Sequence, residues 1–243
     1  MFATSSTLLF QEKAKIQLSQ FFQQFSRPKT GDVCKARGLV EEMTRKGLKP
    51  DKVTYTSLID GLCKGSDLEA ALEIRNVMVR EAIQLDDIAY TALISGLCRE
   101  RLIDDAEIML REMLNVDLKP DDATFTMVMD GFCKKGDVKK GFKLLKVMQS
   151  DGHIPGIIIY NVLMNGLCKL GQMKNADMLL HAMLNLGVAP DDITFNILLD
   201  GHCKYGNPDN YEKLRSEKGL ILDYGSYSSL IASLSKTSKR YNR

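Results

Sequence analysis

A heptapeptide that returns at a fixed interval constrains this chain more than any other feature. LIDGLCK occupies residues 58–64, and its relatives are LISGLCR at 93–99, VMDGFCK at 128–134, LMNGLCK at 163–169 and LLDGHCK at 198–204. Each begins 35 residues after the one before. Other columns keep the same step. Aromatic residues stand at Tyr55, Tyr90, Phe125, Tyr160 and Phe195, glycines at Gly61, Gly96, Gly131, Gly166 and Gly201, and methionines at Met43, Met78, Met113, Met148 and Met183. Small residues stand at Ala36, Ala71, Ala106, Gly141 and Ala176. Self-similarity at one period marks a repeat array, in which each unit buries its apolar face only against its neighbours.

Each unit reads as two helices. Tyr55, Leu58, Ile59, Leu62 and Cys63 fall at i, i+3, i+4, i+7 and i+8, one apolar helical face. The stretch 64–67 interrupts it, and later copies of that turn read KKGD and KLGQ, with a glycine that fits a helix C-terminus. A second helix carries Leu68, Ala71, Leu72 and Met78 and ends before a linker of the KGLKPD type. The expected fold class is all-α: an α-α superhelix, a right-handed solenoid of 35-residue helix-turn-helix repeats. A glycine within a helix costs about 1 kcal/mol relative to alanine. Five such glycines in one column imply that neighbouring backbones approach closely there.

Five of the six cysteines lie in the repeated heptapeptide. Stacked helices sit roughly 10 Å apart, beyond the reach of a disulfide, and no C-x-x-C pair offers zinc-ligand spacing. The cysteine is therefore expected to be a small buried core residue, and no metal or cofactor is expected. The methionine column reads the same way. No apolar run is long enough to cross a membrane, and the net charge of +2 excludes a globally basic surface. Any cationic contact must be local.

A second set of columns lies off the apolar face. Thr56, Asp60 and Lys64 form one line along the first helix, repeated as Thr91, Ser95, Arg99; Thr126, Asp130, Lys134; Asn161, Asn165, Lys169; and Asn196, Asp200, Lys204. The last member is basic in all five copies. One reading is a solvated face with i, i+4 ion pairs. Asn165 and Ser95 leave two of the basic residues without an acid, which favours phosphate contact by Lys64, Arg99, Lys134, Lys169 and Lys204. One turn before the Thr/Asn column stand Val53, Ile88, Ala123, Ile158 and Ile193, each a seat for a base with a hydrogen-bonding group beside it. Asp51, Asp86, Asp121 and Asp191 end their units, where capping of the next helix alone would account for an aspartate. Gly156 is the exception.

The stretch VTYTSLIDGLCKGSDLEAALEIRNVM with its KPD-type end closely resembles the pentatricopeptide repeat family in its plain 35-residue form, and the DGLCK wording is similar to plant restorer-of-fertility-like members. On that alignment the full repeats are 52–86, 87–121, 122–156 and 157–191, with a shortened one at 192–223. A partial repeat falls at 31–51, and a partial repeat and tail at 224–243. The rival tetratricopeptide repeat uses tryptophan in its pattern, and this chain has none. The resemblance implies single-stranded RNA in a concave groove, one base per repeat. The fifth and last residues of a repeat would select the base, the second would pack on it, and the basic residue would approach phosphate. Thr56 with Asp86 and Thr91 with Asp121 would then read guanine. Thr126 is paired with Gly156, which lacks an edge-binding group, and would favour a purine weakly. Asn161 with Asp191, and Asn196 with Asp223, would read uracil. The resulting site is 5′-GG(R)UU-3′.

Residues 1–30 fall outside the repeat and read either as a transit peptide or as a degenerate first helix. A mitochondrial location, with the chloroplast as alternative, follows from the resemblance. So short an array reads as a truncated member. No H-x-E with a later C-x-x-C, no Ser/His/Asp grouping and no glycine-rich phosphate loop stands out, so no enzyme is expected. The alternative to an RNA binder is a helical scaffold for protein partners, or an inactive remnant.

Overall fold

The computed structural model describes residues 50–205, together with Gly38 and Arg45. The expected partial repeats at 31–51 and 224–243, the end of the shortened repeat and residues 1–30 lie largely or wholly outside this range. All regular structure in the described residues is helical, and within 50–205 it forms nine segments of 13 or 14 residues. They are α1 (Lys52–Lys64), α2 (Leu68–Arg80), α3 (Asp87–Arg99), α4 (Ile103–Asn115), α5 (Asp122–Lys135), α6 (Val138–Ser150), α7 (Ile157–Lys169), α8 (Met173–Asn185) and α9 (Asp192–Tyr205). This is the all-α, helical-repeat class expected from the period.

The helices start and stop for local reasons. The Asp51 carboxylate accepts from the Thr54 backbone N–H at 3.1 Å and opens α1. Asp67 does the same for α2 through the Ala70 N–H, and Asp137 for α6 through the Lys140 N–H. The turn that closes each first helix needs one residue with φ above zero. Gly136 (φ 85°) and Gly171 (φ 68°) supply it where the sequence reads KKGD and KLGQ. Ser66 and Arg101, both at φ 62°, fill the same place in the two earlier repeats and carry the steric cost of a Cβ there. The backbone closes with a bond back over the turn, from the Asp67 N–H to the Leu62 carbonyl at 3.0 Å and from the Asp137 N–H to the Phe132 carbonyl at 2.9 Å.

The described residues divide between two compact units that meet inside α5, between Thr124 and Phe125. In the first, α1 packs against α2 and α3, and α3 packs against α4. In the second, α7 is central and packs against α6, α8 and α9. The predicted columns form the cores. Tyr55, Leu58, Ile59, Leu62 and Met78 are buried in the first unit; Tyr160, Leu163, Leu167, Leu180 and Met183 are buried in the second.

The glycine column is explained by the cysteine column. A Cβ at Gly166 would lie 2.8 Å from Cys133 Sγ and 2.9 Å from Cys133 Cβ. One at Gly201 would meet Cys168 at the same two distances. A Cβ at Gly96 would lie 3.0 Å from Leu68 Cδ1 and 3.3 Å from Cys63 Sγ. Each glycine thus receives the cysteine of the preceding repeat. Burial pushes the thiols of Cys63, Cys133 and Cys168 up to about 12, so they pack as small apolar groups rather than as nucleophiles. None of the five described cysteines is in a disulfide.

Candidate nucleic-acid interface

Most of the line Val53, Thr56, Asp60, Lys64 runs along α1 outside the packed face, and its copies run along α3, α5, α7 and α9. Its first member breaks the rule that large aliphatic residues are buried. Val53 is 56% exposed, Ile88 57%, Ile158 66% and Ile193 60%, while the aromatic neighbours two positions on are buried or nearly so. Ala123 is exposed too. Burying such a side chain against a partner is worth about 1.5–3 kcal/mol, and here the same position forgoes it repeatedly.

The second member is held by the last residue of its own repeat, which also opens the next helix. Thr56 Oγ1 donates to Asp86 Oδ2 at 2.9 Å, while the other oxygen of that carboxylate accepts from the Ala89 N–H at 2.9 Å and caps α3. One aspartate therefore opens a helix with one oxygen and orients Thr56 with the other. In the second unit Asn161 Nδ2 donates to Asp191 Oδ1 at 3.3 Å, and that oxygen also takes the Thr194 N–H at 2.8 Å. Burial raises the pKa of Asp191, but the bonds from Thr194 and Asn161 outweigh it and leave the carboxyl below its ordinary value. Asp121 caps α5 through the Thr124 N–H at 2.7 Å, and no hydrogen bond joins it to Thr91. Gly156 starts α7 with no side-chain cap, so the third repeat lacks this arrangement on its last residue. Asp223 lies outside the described residues.

The basic column is less open than its spacing suggested. Lys64, Lys134 and Lys204 form ion pairs with Asp60, Asp130 and Asp200 one turn back, at 2.6, 2.5 and 2.6 Å. Arg99, expected to lack a partner because Ser95 is not an acid, donates from Nη1 to the Cys63 carbonyl at 2.7 Å and satisfies the C-terminal end of α1. Lys169 is exposed and forms no ion pair among the described residues. The solvated-face reading thus accounts for three of the five residues and a structural role for a fourth. The three pairs are exposed, and such pairs hold by about 0–1 kcal/mol, so each lysine can be drawn off by a phosphate.

Sequence reasoning missed two partners. Thr194, fully buried, bonds both Asn161 and Asp191. His202, read as a stand-in for Leu62, is 2% exposed and places Nε2 2.9 Å from Asp177 Oδ1. The conserved-looking period hides both, because each contact joins a different position of two adjacent helices. Among the described residues no cluster of three metal-ligating side chains occurs, and no described helix is long and apolar enough to cross a membrane.

Comparison with known proteins adds a family. The profile described as PPR repeat family matches residues 28–64, 59–99, 85–134 and 155–204, and that described as PPR repeat matches 123–153 and 193–217. A putative pentatricopeptide repeat-containing protein of Arabidopsis thaliana is 54% identical over 39 residues, which is 16% of this chain and 8% of that protein. Among solved structures, the pentatricopeptide repeat protein PPR10 from maize is similar with a TM-score of 0.67 at 20% identity, over 88% of this chain and 35% of that one. The PPR domain of protein-only RNase P 1 from Arabidopsis thaliana, solved in complex with tRNA, gives 0.62 at 21% identity, over 76% of this chain and 98% of that one.

Proposed function

The chain belongs to the PPR repeat family, and we propose that it binds single-stranded RNA, one base to each repeat. The carrying observation is the recurrent pairing of an exposed aliphatic residue with a hydrogen-bonding side chain held by the aspartate that ends the repeat: Val53 with Thr56 and Asp86, Ile158 with Asn161 and Asp191. An aliphatic surface takes the face of an unstacked base, and a fixed polar group takes its edge. A protein-binding scaffold gives no reason for an oriented polar side chain beside an exposed aliphatic one, as at Val53 and Ile158.

The base assignment is part of the proposal and comes from the family resemblance: guanine at the repeats of Thr56 and Thr91, a purine at that of Thr126, and uracil at those of Asn161 and Asn196. Lys169 is the basic residue most available for phosphate, with Lys64, Lys134 and Lys204 joining after their carboxylates are displaced. The RNA is an organellar transcript, mitochondrial ahead of chloroplast, whose processing, stability or translation is altered by occupancy of the site. Fluorescence anisotropy with single-stranded RNA tests the reading. 5′-GGAUU-3′ is expected to bind more tightly than 5′-AAACC-3′, with an affinity that falls as salt rises. Equal affinity for the two sequences refutes the base assignment, and no binding at low salt refutes RNA binding itself.

A further inference from the structure

Asn161 is an amide, and an amide presents a donor or an acceptor depending on which way it is turned. Two neighbours settle its orientation. The atom 3.3 Å from Asp191 Oδ1 must be the amide nitrogen, because a carboxylate only accepts. The other amide atom lies 2.7 Å from Thr194 Oγ1. It is the amide oxygen, and the hydrogen between the two oxygens belongs to the threonine. Thr194 Oγ1 in turn accepts from the Asp191 backbone N–H at 3.2 Å, and its one hydrogen is shared between two acceptors, Asn161 Oδ1 at 2.7 Å and Asp191 Oδ1 at 2.8 Å. Thr194 is fully buried, so the amide oxygen bonded to it faces the protein interior. The edge of Asn161 left for a ligand is the second N–H of Nδ2.

Resting on the base-per-repeat reading, we propose that Thr194, in the repeat after the one that reads, is a positioning residue that holds Asn161 as a hydrogen-bond donor and so makes that repeat favour uracil over cytosine. The chemistry is a matter of matching. Uracil offers a carbonyl oxygen where cytosine offers an amino group, as thymine and cytosine do in duplex recognition. A fixed N–H meets the first and opposes the second. An amide free to turn would serve both bases. The same place after Thr56 and Asp86 is Ala89, which has no hydroxyl, and there Thr56 bonds the aspartate directly.

The test uses the full chain and two RNAs, 5′-GGAUU-3′ and 5′-GGACU-3′, compared by fluorescence anisotropy. Thr194→Val keeps the shape and removes the hydroxyl, and Thr194→Ser keeps the hydroxyl. The uracil-over-cytosine ratio is expected to fall about fivefold in Thr194→Val, the equivalent of one net neutral hydrogen bond, and to stay within twofold of the parent in Thr194→Ser, roughly the noise of such a ratio. Circular dichroism melts accompany both variants, and Thr194→Ala replaces Thr194→Val should the latter not be folded. A purely structural role would weaken both RNAs together and leave the ratio unchanged, which overturns the proposal. Asn161→Thr separates the two levels of argument. If it moves the preference at this base away from uracil while Thr194→Val leaves the ratio alone, the reading stands and the role of Thr194 fails. If Asn161→Thr changes nothing, the reading itself fails, and the role of Thr194 with it.

Discussion

Replacing Gly166 with alanine pits two effects against each other. In an ordinary helix interior the change stabilises by about 1 kcal/mol. At Gly166 the new methyl would lie 2.8 Å from Cys133 Sγ, 2.9 Å from Cys133 Cβ and 3.0 Å from Val138 Cγ2. Carbon atoms in contact prefer roughly 3.5–4.0 Å, so three contacts are each about half an ångström or more too short. The sulfur can rotate away, but Cys133 Cβ is fixed to its backbone, and relief requires α5 and α7 to move apart. Overpacking of this kind costs about 1–3 kcal/mol, which outweighs the propensity gain. Gly166→Ala is therefore expected to be destabilised by about 1 kcal/mol net. The internal control is Gly141→Ala, whose methyl would meet the flexible end of Leu163 at 2.9 Å. There the neighbour can turn aside, and the sequence itself carries Ala71, Ala106 and Ala176 at that position. Urea denaturation followed by far-UV circular dichroism ranks the two variants. A Gly166→Ala protein as stable as Gly141→Ala, or more stable than the parent, would refute the close-approach explanation of the glycine column.

Two further outcomes follow from the buried groups. With thiols raised to about 12, only roughly one in ten thousand of Cys63, Cys133 and Cys168 is thiolate at pH 8. Iodoacetamide should modify them only after unfolding, as read by peptide mass spectrometry, and rapid native labelling would contradict their burial. His202→Leu should raise the urea midpoint by the equivalent of about 1 kcal/mol, because His202 Nδ1 is buried without a partner and Leu62, Leu97 and Leu167 fill the same column. A lower midpoint would show that the bond to Asp177 outweighs that cost.

The fold was legible because its determinants recur within one helix. Tyr55, Leu58, Ile59 and Leu62 announce a buried face by spacing alone, and the structure buries them. The glycine column was read correctly as a close approach, but its partner was not visible. Gly166 receives Cys133, 33 residues back, and no periodicity marks a contact between two different columns. The site was legible in the same partial way. The exposed aliphatic column and the Thr/Asn column sit on one helical line, so their adjacency follows from spacing. The basic column misled for a physical reason: spacing shows where an acid could pair, but a backbone carbonyl such as that of Cys63 is equally able to hold Arg99 and leaves no trace in the sequence. Thr194 was hidden because it looks like an ordinary first-turn residue until Asn161 is placed beside it.

The two oxygens of Asp86 impose a grammar on the array. One oxygen is committed to starting the next helix and the other to steadying Thr56. If each repeat reads one base as proposed, a residue at that junction cannot be exchanged freely to change the base, because every exchange is also an exchange of helix cap. The usable vocabulary is weighted toward residues that begin a helix well, Asp, Asn, Ser, Thr and, as at Gly156, glycine, and a redesign that reaches beyond them trades a new letter for a frayed joint.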